Sequence, residues 1–155
     1  MTSGSRPALL RGSCLCGLVR YEIHGEPRHV EWCHCSRCRK GSGCPAVPRL
    51  VVSGRDLHVT QGAAAIRSYT PRGAAPRHFC GQCGSPTPNP DAREALVEIP
   101  MGTLDDAPGQ RPAVRRGLAW RADWDEPGDA LPGFDDLPSR QELIDQGLLT
   151  DEPQD

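Results

Sequence analysis

Cys33-His34-Cys35-Ser36-Arg37-Cys38 sets three thiols within six residues, and the fold of this chain turns on what those thiols hold. Upstream stands the pair Cys14-Leu15-Cys16, downstream the knuckle Cys80-Gly81-Gln82-Cys83, and the eighth cysteine is Cys44. Thiols at such spacings either pair as disulfides or bind metal. Disulfides belong to oxidising compartments. The segment 1–11 has Arg6, Arg11 and only Ala8-Leu9-Leu10 as an apolar piece, which lacks the apolar core of a secretory signal. The expected compartment is therefore the cytoplasm, where thiols stay reduced, and the cysteines argue for metal.

Zinc takes thiolate sulfur at about 2.3 Å in a tetrahedron, so its ligands must converge from sharp turns. Gly17, Gly81 and Gly84 stand beside the pairs and can supply such turns. Two pairs far apart in sequence make one four-cysteine site naturally. Cys14, Cys16, Cys80 and Cys83 would then clip the first strand to the sixth, in a closed, structural zinc site. Cys33, Cys35 and Cys38 would hold a second zinc with three protein ligands, the pattern of a catalytic and labile site that a water or an incoming thiolate completes. His34 or Cys44 in the fourth place would close that site instead, although His34, lying between two ligands, is expected to point away. Spacing alone leaves a second partition open, in which Cys14 and Cys16 join Cys33 and Cys35, and Cys38 goes with Cys80 and Cys83.

The chain around the cysteines is punctuated by 17 Gly and 16 Pro, with only two Phe, two Tyr, three Trp and two Met, so short strands, many turns and a small core are expected. A small core of this kind needs staples, and metal is one kind. Strands are expected over 18–23, 30–32, 47–52, 56–60, 66–70, 77–80, 96–99 and 114–120. One helix signal stands out: Ser139 with Glu142 forms a capping box, Leu143 and Ile144 begin an apolar stripe, and Gly147 stops it. Residues 150–155 form an acidic tail expected to be disordered. The fold class is mainly β, a small single-domain zinc-stapled scaffold with a short C-terminal helix. It divides into an N-terminal lead at 1–11, the zinc domain at 12–138, and the helix with its tail at 139–155.

Eighteen basic and twenty acidic side chains leave a formal net charge of −2, so no strong field draws the chain to nucleic acid or membrane. No apolar run approaches membrane-spanning length.

Gly12-Ser13-Cys14-Leu15-Cys16-Gly17, then Cys33 through Gly43, then Phe79-Cys80-Gly81-Gln82-Cys83-Gly84-Ser85 resemble the glutathione-dependent formaldehyde-activating family, which also includes centromere protein V. Gly102-Thr103-Leu104-Asp105-Asp106 and Asp136-Leu137-Pro138 look like its later signatures. The resemblance implies a β-rich zinc scaffold of the β-tent kind. It implies the first partition of ligands, with Cys33, Cys35 and Cys38 holding the catalytic zinc. It also implies a carbon–sulfur lyase that joins glutathione to formaldehyde as S-hydroxymethylglutathione. Leu15, Ala46, Arg115 and Pro86-Thr87-Pro88 depart from the family pattern; they leave the ligands intact and are expected to bear on the substrate through the pocket wall.

A thiol attacks an aldehyde only as thiolate. A three-thiolate zinc carries net negative charge, which favours delivery of a soft thiolate over activation of a carbonyl. Arg37, Arg39 and Lys40 form a basic cluster beside the triplet, readable as contacts for the carboxylates of glutathione or a similar small thiol, or equally as solvated loop charges. His78 is a candidate proton carrier. The expected partners are a small thiol and a small aldehyde. The rival reading is a non-catalytic zinc module for macromolecular interaction, which should carry a basic or low-complexity arm that this sequence lacks.

Overall fold

Glycine and proline cut the chain into strands of two to seven residues, which assemble as three small sheets. The structure, a computed structural model, describes residues 9–91 and 96–150. The first sheet joins β1 (Leu10–Ser13), β2 (Arg20–Ile23) and β5 (Leu57–Gln61), all antiparallel. The second holds β3 (His29–Cys33), β4 (Val47–Ser53) and β9 (Leu96–Pro100), antiparallel, with β10 (Val114–Arg116) added parallel to β3. The third is β6 (Ile66–Tyr69), β7 (Arg77–Cys80) and β8 (Pro86–Thr87). Among the described residues two short α-helices, α1 (Ser36–Ser42) and α2 (Arg140–Asp145), and four 3₁₀ turns complete the fold.

Alternation along the second sheet decides what each face does. Val30, Leu50, Val52, Val97 and Ile99 point one way and pack with Leu10, Tyr21 and Ile23 of the first sheet in the main core. Each such buried aliphatic contributes about 1.5–3 kcal/mol. Successive side chains on a strand point to opposite faces, so His29, Glu31 and Cys33 share the other face with Val47, Arg49, Val51 and Glu98. Gly12 lets the first two strands close: a Cβ there would meet the Tyr21 ring at 2.1 Å. The Tyr21 hydroxyl in turn sits 2.7 Å from that of Thr103.

The capping box expected at Ser139 and Glu142 is present, and Leu143 of α2 packs with Leu149 and Val114 in a separate cluster. Other expectations shift. The strand expected at 114–120 stops at Arg116, because Gly117 takes φ +73° and caps the 3₁₀ turn Leu118–Trp120. The strand expected from residue 18 starts at Arg20, with the turn at Gly17 before it. Leu10 and Arg11, placed with the lead, pair in β1. The segment read as a C-x-C-x-x-C loop is half helix: the Cys35 sulfur accepts from the Cys38 N–H as the cap of α1. Residues 151–155 of the expected tail lie outside the described residues, while the Thr150 carbonyl accepts from Arg140 at 3.0 Å. Among the described residues no helix is long and apolar enough to cross a membrane.

Candidate metal and thiol-binding site

Two turns of the same build bring four thiols together. After Cys14 the chain turns through Gly17, whose N–H donates to the Cys14 carbonyl at 2.9 Å. After Cys80 it turns through Gly84, whose N–H donates to the Cys80 carbonyl at 2.8 Å. Both glycines have φ +76°, a conformation costly for any residue with a Cβ. Ser85 joins the turns, its hydroxyl accepting from the Leu15 N–H at 2.9 Å. The sulfurs of Cys14, Cys16, Cys80 and Cys83 thereby lie within 4.8 Å of one another. Cys14 and Cys16 stand 3.5 Å apart, and Cys16 and Cys80 3.9 Å. These are no disulfide lengths; a tetrahedron of about 2.3 Å metal–sulfur bonds has edges of about 3.8 Å. The residues present therefore fit a thiolate-bound metal. Cys14 and Cys80 are buried with Val19 in an apolar cluster that seals the site from one side.

The second cluster is Cys33, Cys35 and Cys38, whose sulfurs also fall within 4.8 Å of one another. Cys33 ends β3, Cys35 caps α1 and Cys38 lies in its first turn, so one strand end and one helical turn supply all three. Hydrogen bonding to the Cys33 and Cys38 thiols holds Cys35 far below the usual thiol range, while contacts with Cys35 and Cys38, with burial, push Cys33 up. Arg77 of β7 donates to the Cys38 sulfur at 3.6 Å. His34 turns the other way, its Nε2 2.9 Å from Arg115 Nη1 and its Nδ1 3.4 Å from Asp125. Cys44 is exposed, facing the Ser42 carbonyl, and belongs to neither cluster.

The triplet opens on a cavity of about 960 Å³. Its floor is the polar face of the second sheet. Glu31 lies opposite Arg49 in the β3–β4 register and binds both Arg49 and Arg116, the latter at 2.8 Å. His29 Nε2 sits 3.3 Å from the same carboxylate. Burial pushes Glu31 up, but the His29 hydrogen bond and the two guanidinium charges outweigh it and hold the carboxyl down to about 2. Arg49 also binds Glu98, and its own pKa rises against the effect of burial because of the two carboxylates. A buried carboxylate with two guanidinium partners is a fixed electrostatic element, costly to break on one side only.

Of the three basic residues flagged by adjacency, Arg37 lines the cavity. Arg39 instead donates to the Trp120 carbonyl at 3.1 Å, and Lys40 is exposed on the last turn of α1. His78 lines the cavity wall, and burial lowers its pKa against the pull of Asp91. The residues that adjacency missed are Glu31, Arg49, Arg77 and Arg116. The signal for Glu31 and Arg49 was the two-residue alternation of 29–33 and 47–51, where single charges interrupt apolar runs; Arg77 and Arg116 had no such local signal.

The family model of the glutathione-dependent formaldehyde-activating enzyme matches residues 9–119. A Halomonas elongata protein provisionally named a glutathione-dependent formaldehyde-activating enzyme is 35% identical over 129 residues, covering 76% of this chain and 80% of that protein. A crystal structure of a Rhodobacter sphaeroides protein, 22% identical, aligns with 80% of this chain and 99% of its own at a TM-score of 0.48, a likeness that carries no functional argument. With most of its length matched by the family model, this chain belongs to the glutathione-dependent formaldehyde-activating enzyme family.

Proposed function

We propose that this protein is a zinc-dependent enzyme of the carbon–sulfur lyase type that binds glutathione or a similar small thiol and handles its formaldehyde adduct. The observation that carries the reading is a three-thiol cluster opening on a cavity far larger than formaldehyde, with arginines in its wall. In this reading Cys14, Cys16, Cys80 and Cys83 hold a structural zinc, and Cys33, Cys35 and Cys38 hold a labile one. An all-thiolate donor set suits zinc among the common divalent ions. When bound at the triplet, the metal supplies the stabilisation that keeps a substrate thiol as thiolate near neutral pH.

The chain's own residues do the rest. Arg37 stands at the cavity edge beside Cys35 and is the contact assigned to a carboxylate of the thiol substrate. Arg49 and Arg116 are committed to Glu31 and keep the floor rigid. Arg77 offsets the negative charge of the triplet through Cys38. In the addition, a bond forms between thiol sulfur and aldehyde carbon. The carbonyl π pair moves onto oxygen, and the proton released by the thiol ends there; the lyase direction reverses each change. His29 is engaged by Glu31, which leaves His78 as the histidine of this wall for carrying that proton. Reduced thiols throughout suit the cytoplasm.

Isothermal titration of zinc-loaded protein with glutathione, cysteine and other low-molecular-weight thiols tests the reading, followed by formaldehyde adduct formation with the tightest binder. Saturable binding that disappears in Arg37→Ala is the expected result. Absence of binding by any small thiol would sink it.

A further inference from the structure

Beside the main cavity lies a smaller one of about 190 Å³, walled by Cys35, Ser36, Arg37, Trp120 and Leu137. Cys35, Arg37 and Leu137 line both, so the two cavities adjoin beside Cys35. By volume the smaller one could hold about six waters, far more than a hydrogen substituent of formaldehyde needs.

The apolar wall of this cavity is held in place. Gly117, at φ +73°, brings the turn Leu118–Trp120 onto the triplet: a Cβ there would lie 3.1 Å from the Cys35 backbone nitrogen and 3.0 Å from Leu137 Cδ2. The Gly117 N–H donates to the Asp136 carbonyl at 2.7 Å and the Ala119 N–H to the Asp135 carbonyl at 2.8 Å, tying this turn to the segment that carries Leu137. Arg39 then fixes the far end through the Trp120 carbonyl. Yet Trp120 stays 45% and Leu137 41% exposed. A fixed backbone thus presents two large apolar side chains to solvent next to a thiol cluster, an arrangement stabilised by an apolar ligand group that covers them.

Resting on the thiol-adduct reading above, we propose that this cavity is the subsite for the carbon substituent of the aldehyde, so that the enzyme accepts aldehydes bearing a short alkyl chain. The substituent takes no part in bond making: sulfur joins the carbonyl carbon, the π pair goes to oxygen, the thiol proton follows it there, and the alkyl group rides on the carbon into the space between Cys35 and Trp120.

S-methylglutathione and S-butylglutathione differ by three methylenes at the position of the adduct carbon and bind without turnover. Titrated into zinc-loaded wild-type protein, the butyl compound should bind about ten-fold tighter than the methyl compound. Leu137→Trp fills the cavity and Trp120→Ala removes one wall, and each should bring that ratio close to one; metal content by elemental analysis shows that each variant is intact. The ratio cancels any general loss of affinity. Equal binding of the two compounds by wild type, or a ratio that survives both variants, overturns the subsite and leaves the thiol-adduct function standing. Where another thiol is the tightest binder, its S-methyl and S-butyl derivatives take their place; binding of neither derivative by a protein that binds the parent thiol overturns the subsite alone, and failure to bind any small thiol removes the function with it.

Discussion

The two cysteine clusters use one chemistry in opposite topologies. Cys16 and Cys80 are 64 residues apart, and their cluster gathers the first sheet and the third around an apolar seal. Cys33, Cys35 and Cys38 come from one strand end and one helical turn, facing a cavity. A metal in the first would cross-link distant chain; a metal in the second would close only a local loop, with little entropy at stake. Ligand type alone does not separate a structural site from a functional one. What separates them is how much chain the site closes and what lies in front of it.

The sharpest way to break that contrast is Cys80→Ser. Structural zinc contributes folding free energy on the order of 10 kcal/mol, comparable with the whole stability of a domain. The variant should be insoluble or unfolded by circular dichroism, and a soluble protein with wild-type melting would erase the distinction. Cys35→Ser comes next. It should stay folded, lose one metal equivalent by elemental analysis, and show no thiol-adduct turnover; concerted loss of both metals with unfolding would merge the two sites into one. Arg77→Met sharpens the contrast further. Because Arg77 reaches Cys38 and does not touch the four-cysteine cluster, a chelator should strip the triplet about ten-fold faster while the other metal stays in place. Unchanged release kinetics would show that the contact to sulfur is incidental.

The smallest effect concerns a carboxylate that belongs to neither cluster. Asp106 is held down to about 2 from its ordinary 3.8 by hydrogen bonds from the Arg11 side chain and backbone. A carboxyl with a lowered folded value stabilises the fold above about pH 4, and that contribution fades as pH falls towards 2. Asp106→Asn should therefore lower the melting temperature slightly at pH 7, by about 1–2 °C for so exposed a pair. The difference from wild type should vanish only as pH falls below about 2. A difference that persists at low pH would assign the effect to packing.

Much of this was readable in the residues themselves. Clustered thiols are written in residue type and spacing, and of the two partitions that spacing left open the sulfurs converge in the first. The strands at 47–53 and 96–100 follow from Val- and Ile-containing runs bounded by Gly or Pro, and α2 follows from its capping box, whereas β1 and β8 had no such signal. The helix after Cys35 was hidden because Ser and Gly within 36–42 are poor helix formers; its support is local, a sulfur cap at one end and Gly43 at φ +72° at the other. The cavity floor was hidden for another reason. Glu31, Arg49 and Arg116 become neighbours only through the register of three strands, and no local pattern states a register. Arg39 shows the converse: close to the triplet in sequence, it is turned by its helix toward Trp120.

The long span of the four-cysteine cluster also matters while the protein is being made. Cys14 and Cys16 leave the ribosome first, Cys33, Cys35 and Cys38 follow, and Cys80 comes 64 residues after Cys16. At about 5–20 residues per second, the first pair waits roughly 3–13 s for its partners. During that interval the nearest thiols are those of the triplet, so the competing ligand set exists on the nascent chain before the native one does. Metal supplied after the third sheet has formed should therefore give cleaner assembly than metal present from the first thiol onward.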